Sequence, residues 1–144
     1  MKKTPYSQWF AFLLFLISSC QMPPLIVLFN NSGRDITVYA EGRSYQVNKG
    51  ATTEIQYPGN EQKMRIDNGV GSLEYKVLYP PPAYMSSRVF TAYVINCQIE
   101  ADGFIYVLPS PASMPAKDLL PQPAGFPLKP IRYTRNGIGK GVGL

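Results

Sequence analysis

"VFTAYVINCQIEADGFIYVL", Val89 to Leu108, carries the strongest fold signal in the chain. Asp102-Gly103 near its centre is a two-residue hairpin signature, because both residues tolerate positive φ. With the turn placed there, Ala101 stands opposite Phe104, Ile99 opposite Tyr106, and Cys97 opposite Leu108. One face then collects Tyr93, Ile95, Cys97, Ile99, Phe104, Tyr106 and Leu108. Both flanks choose the same apolar face, so the register is internally consistent. The pattern predicts an antiparallel hairpin in which Cys97 is a small buried hydrophobe.

The same grammar extends upstream. "LIVLF" (Leu25–Phe29) is an unbroken apolar run, followed by the turn-forming "NNSGR". In "DITVYA", Ile36, Val38 and Ala40 alternate with Thr37 and Tyr39. "NKG" (Asn48–Gly50), "YPGN" (Tyr57–Asn60) and "NGVG" (Asn68–Gly71) separate further short runs. "KMRID" places Met64 and Ile66 on one side, and "SLEYKVLY" sets Leu73, Tyr75, Val77 and Tyr79 against Glu74 and Lys76. About eight short strands at this spacing predict an all-β protein. The expected form is a small antiparallel β-sandwich, immunoglobulin-like in outline, over residues 25–108.

Beyond Leu108 the composition shifts. Seven of the chain's 14 prolines lie between Pro109 and Pro130. That density forbids regular helix and central strand. Residues 109–144 are expected to form an irregular Pro/Gly-rich segment, with Leu120, Phe126, Leu128 and Ile131 available to pack it onto the sandwich. The glycines at 137, 139, 141 and 143 follow no phosphate-binding spacing.

The amino terminus is an address. Lys2 and Lys3 precede "WFAFLLFLI" (Trp9–Ile17), nine apolar residues, with no acid before Asp35. As a helix the run spans roughly 14 Å, against a hydrocarbon core of about 30 Å. A basic start, a short apolar stretch and small residues behind it form a signal peptide, residues 1–19. "ISSC", Ile17-Ser18-Ser19-Cys20, resembles the lipobox of bacterial lipoproteins. The resemblance implies recognition of Ile17, Ser18 and Ser19 by signal peptidase II, cleavage before Cys20, and acylation of the Cys20 thiol, as in palmitate-bearing lipoproteins. It also implies a tether at residues 20–24, stiffened by Pro23 and Pro24, in which Gln21 favours sorting to the outer membrane, facing the periplasm. No domain family is recognised in the mature part.

Composition excludes several function classes. Removal of 19 residues leaves 125, enough for one domain and a tail. Loss of Lys2 and Lys3 lowers the formal charge from +5 to +3, without a clustered basic module, so no nucleic-acid partner is expected. The chain has no histidine, which removes Ser-His-Asp and Cys-His catalysis. With Cys20 acylated, Cys97 has no disulfide partner, and a zinc site of the usual kind lacks ligands. No cofactor and no enzymatic activity are expected. The partners expected are the membrane, through the lipid, and an envelope protein.

One surface element stands out: "LYPPPAYM", Leu78–Met85. Tyr79, Pro80, Pro81, Pro82 and Tyr84 form either a rigid polyproline contact surface or a stiff crossover whose tyrosines cover the core. The function expected is a non-enzymatic binding or structural protein, lipid-anchored at the bacterial outer membrane. The alternative is a periplasmic inhibitor or immunity protein against a wall-degrading toxin, for which this loop would be the natural probe.

Overall fold

The structure, a computed structural model, describes residues 24–59, 62–87, 93–110, 115–116 and 121–136. The signal peptide, Ile17, Ser18, Ser19, Cys20 and the glycine tail lie outside the described residues. Two five-stranded sheets pack face to face in a β-sandwich. The first contains β4 (Thr52–Gln56), β1 (Leu25–Asn31) and β8 (Tyr93–Glu100), with β7 (Met85–Ser87) and β9 (Ile105–Leu108) both pairing β8. The second runs β10 (Arg132–Arg135), β6 (Gly71–Lys76), β5 (Lys63–Asp67), β2 (Ile36–Ala40), β3 (Arg43–Val47).

Alternation decides which side chains go inside. Ile36, Val38 and Ala40 of β2, Met64 and Ile66 of β5, and Tyr75 of β6 point into the sandwich. They meet Ile26 and Leu28 of β1, Ile55 of β4, and Ile95, Cys97 and Ile99 of β8. Each Ile, Leu, Val or Met side chain among them contributes about 1.5–3 kcal/mol when fully buried.

One pairing departs from the antiparallel expectation. β1 lies parallel to β8, with Leu25 beside Val94 and Asn31 beside Glu100. Both are interior strands buried on both faces, which is why "LIVLF" reads as an unbroken apolar run rather than an alternating one. The strand order also differs from the immunoglobulin one, since β1 neighbours β4 and β8 rather than β2.

The hairpin is present but its register is shifted by one residue. Ile99 pairs Ile105 and Cys97 pairs Val107. The amide of Gly103 donates to the Glu100 carbonyl, and that of Glu100 to the Phe104 carbonyl, enclosing a three-residue loop. Only Gly103, at φ +79°, is left-handed there; Asp102 is not. A type I turn closed by a left-handed glycine is the common three-residue solution. The shift turns β9 over: Ile105 and Val107 face the core, while Phe104, Tyr106 and Leu108 do not.

The Pro-rich segment wraps both sheets. Gln98 exchanges two hydrogen bonds with the backbone of Ala116, and Gln122 exchanges two with Val107. Leu128 then bridges Ile105 through backbone hydrogen bonds of 2.8 and 3.0 Å. Phe126 and Leu128 pack on the core. Ile131, expected to pack, is 62% exposed, and Leu120 lies outside the described residues. Past the prolines the chain becomes regular again and adds β10 to the edge of β6.

Candidate functional site: a cleft at one end of the sandwich

The parallel β1/β8 register gives the sandwich two distinct ends. At one, Pro24 enters β1 and its carbonyl accepts the Tyr57 amide at 2.9 Å. The other, about 20 Å away along β1, gathers the β1–β2, β5–β6 and β8–β9 turns.

These far turns enclose a cleft of about 410 Å³. Ile36, Ile66, Leu73 and Ile99 line it on the apolar side. Arg34, Val70, Glu100, Asp102 and Tyr133 also border it. Val70 is 44% and Tyr133 54% exposed, so the rim of the cleft offers apolar area to a partner. Tyr133 comes from β10, so the Pro-rich wrap completes this end. Gly71 makes room for it: a Cβ there would lie 2.7 Å from the Tyr133 ring and 2.8 Å from the Thr134 carbonyl oxygen.

Short polar residues set the turns. Asn30 is fully buried, and its Nδ2 donates to the carbonyls of Arg34 (2.7 Å) and Val47 (2.9 Å). Its Oδ1 accepts from the Ser32 amide and hydroxyl. Every hydrogen-bonding position of that amide is therefore used, and the β1–β2 turn is held from inside. Asn68 Oδ1 accepts the Val70 and Gly71 amides; Asp102 Oδ1 accepts the Phe104 amide. Tyr75 reaches from β6 to donate its hydroxyl to the Gly103 carbonyl at 2.6 Å. Burial, then the Asp102 carboxylate, pushes the Tyr75 phenol well above its ordinary range, so it stays a donor. Glu100 accepts from Asn31 and from Gln98. An apolar floor, a polar rim and turns fixed in advance suit binding, because little further ordering is needed. The cleft holds no imidazole and no thiol, and among the described residues no three His, Cys, Asp or Glu side chains converge on one point.

Tyr79, Pro80, Pro81, Pro82 and Tyr84 lie at the opposite end, where the chain enters. The polyproline path is short: Pro81 is extended (φ −56°, ψ 152°), and Pro82–Tyr84 closes into a 3-10 turn. Pro80 is buried and Tyr84 half-buried against the core. Tyr79 remains 53% exposed, stacked on Tyr57 with ring centroids 4.3 Å apart. Burial, then Tyr79 and Cys97, pushes the Tyr57 phenol up to about 12.

The sequence marks each turn but not their convergence, which depends on the pairing of strands distant in the chain. Arg34, Val70 and Tyr133 therefore carry no local signal of a shared site. Comparison of the chain with protein-family models, with curated proteins and with solved structures gives no match.

Proposed function

We propose that this chain is a lipid-anchored, non-enzymatic binding protein of the bacterial outer membrane that presents its turn cleft to an envelope protein in the periplasm. The observation that carries the reading is the polarity of the sandwich. Cys20 precedes the first strand residue, Leu25, by five steps, a reach of at most about 17 Å. An acyl anchor at Cys20 would hold the Pro24 end at the bilayer and turn the cleft of Arg34, Val70 and Tyr133 away from it. The Tyr79–Tyr84 loop favours this reading over the inhibitor one, since an inhibitor calls for a protruding probe and this loop lies partly against its own core.

Metabolic labelling with a fatty-acid probe tests the anchor: the native chain is expected to be labelled and Cys20→Ala unlabelled. Site-specific photo-crosslinking in intact cells tests the cleft. A probe at Val70 is expected to capture a defined envelope protein, and one on the exposed outer face of β5, at Arg65, is not. Equal capture at both positions would remove the cleft from consideration.

A further inference from the structure

We propose that the Pro24 end of the sandwich is a membrane-contact surface that sits among anionic lipid headgroups; the inference rests on the acyl anchor at Cys20. Two exposed tyrosines stand at this end. Tyr79, 53% exposed, stacks on Tyr57, whose amide is bonded to the Pro24 carbonyl. Tyr93, 56% exposed, immediately precedes Val94, the neighbour of Leu25 in the parallel pair. A phenol joins an apolar ring to a wet tip, and the membrane interface is the environment that satisfies both.

The charges at the same end have one prevailing sign. Lys63 and Lys76 are directly opposite each other where β5 begins and β6 ends, and Lys76 is three residues from Tyr79. Facing like charges weaken a strand pair, and an anionic surface beside them would offset that repulsion. The side chain of Lys63 is 62% exposed, with Glu74 at 3.5 Å. Exposed Arg43 adds a third cation on the β2–β3 turn, beside Glu41. The other end is balanced instead: Asp35, Asp67, Glu100 and Asp102 stand among Arg34, Lys49, Lys129 and Arg135. A tyrosine-bearing end with an excess of cations beside the anchor, against a charge-balanced end away from it, matches a negatively charged bilayer in sign and in position.

The test uses the acylated full chain reconstituted in vesicles. Tyr79→Cys and, separately, Tyr93→Cys are labelled with a membrane-impermeant maleimide, with Val70→Cys as the far-end control. The background is low because Cys97 is 3% exposed and acylation consumes the Cys20 thiol. On phosphatidylglycerol-rich vesicles, both near-end cysteines are expected to react several-fold more slowly than in detergent, and Val70→Cys at the same rate in both. Lys63→Glu/Lys76→Glu is expected to lift most of that protection. Equal rates in vesicles and detergent would overturn the proposal. So would protection that is identical on neutral phosphatidylcholine and indifferent to charge reversal. Protection in cells but not in pure vesicles would assign the surface to a protein and overturn it equally. The anchor is separable: Cys20→Ala protein is expected to sediment with phosphatidylglycerol vesicles in low salt and release in high salt. Such binding without fatty-acid labelling of the native chain would remove the anchor and leave the surface standing.

Discussion

At the scale of single residues, burial sets the chemistry of β8. Cys97 is 3% exposed and its thiol is pushed up to about 12 by burial. Only the thiolate is an effective nucleophile, so alkylation of the folded protein at pH 8 is expected to proceed only as fast as global unfolding; rapid labelling would contradict this. The same shift predicts an alkaline limit to stability. Cys97, ordinarily near 9, and Tyr57, ordinarily near 10, both titrate about 12 when folded. The folded chain therefore holds protons that the unfolded chain has released. Stability from these groups is complete below about pH 9 and declines toward pH 12, by at most about 1.4 kcal/mol per pH unit per group. Urea midpoints measured from pH 8 to 11 are expected to fall, and to fall less steeply in Cys97→Val. On the other face of β8, Asn96 stands between Val27 and Leu108, fully buried, with neither side-chain atom hydrogen-bonded among the described residues. An unsatisfied buried amide costs about 1–3 kcal/mol, so Asn96→Leu is expected to raise the urea midpoint, and a lower one would mean the amide has a partner.

At the scale of elements, Gly103 decides where the hairpin turns. Its φ of +79° suits glycine, and a Cβ there would sit 3.0 Å from Leu73 Cδ1. Gly103→Val is expected to destabilise by about 1–3 kcal/mol, read by thermal unfolding; an unchanged melting temperature would count against the turn. The alternation in "DITVYA" and "KMRID" was legible because half-buried strands impose a period of two. The hairpin was legible as a hairpin, but its register was not. Two- and three-residue turns share Asp-Gly, and both faces of residues 104–108, Phe104/Tyr106/Leu108 and Ile105/Val107, are apolar enough to accept either pairing. The parallel β1/β8 pair joins residues about 70 apart, with no local sequence mark. β10 hid behind seven prolines, since "IRYTR" is too short and too charged to read as a strand. Its partner β6 offers a free edge, and edge pairing needs backbone rather than pattern.

At the scale of the molecule, the C-terminal segment holds the sandwich and builds its cleft, and these roles rest on different residues. It bonds to the first sheet at Gln98, Val107 and Ile105, then to the second where the Ile131 amide donates to Glu74 and β10 begins. Leu128 is the apolar end of this clasp, 5% exposed within the core. Truncating a buried leucine costs about 2–5 kcal/mol through lost burial and the cavity left behind. Leu128→Ala is therefore expected to lower unfolding stability by about that amount. Tyr133 lies at the far end of the same clasp and is 54% exposed. Its ring covers Gly71 but leaves most of its area in water, so Tyr133→Ala is expected to change stability by less than about 1 kcal/mol. If the cleft binds an envelope protein, the exposed ring is its natural anchor, because a rigid aromatic gains contact area at little entropic cost. Crosslinking from Val70 in cells is then expected to fall sharply in Tyr133→Ala while its urea midpoint stays near that of the native chain. Unchanged crosslinking at unchanged stability would leave Tyr133 as a cover for Gly71 and nothing more.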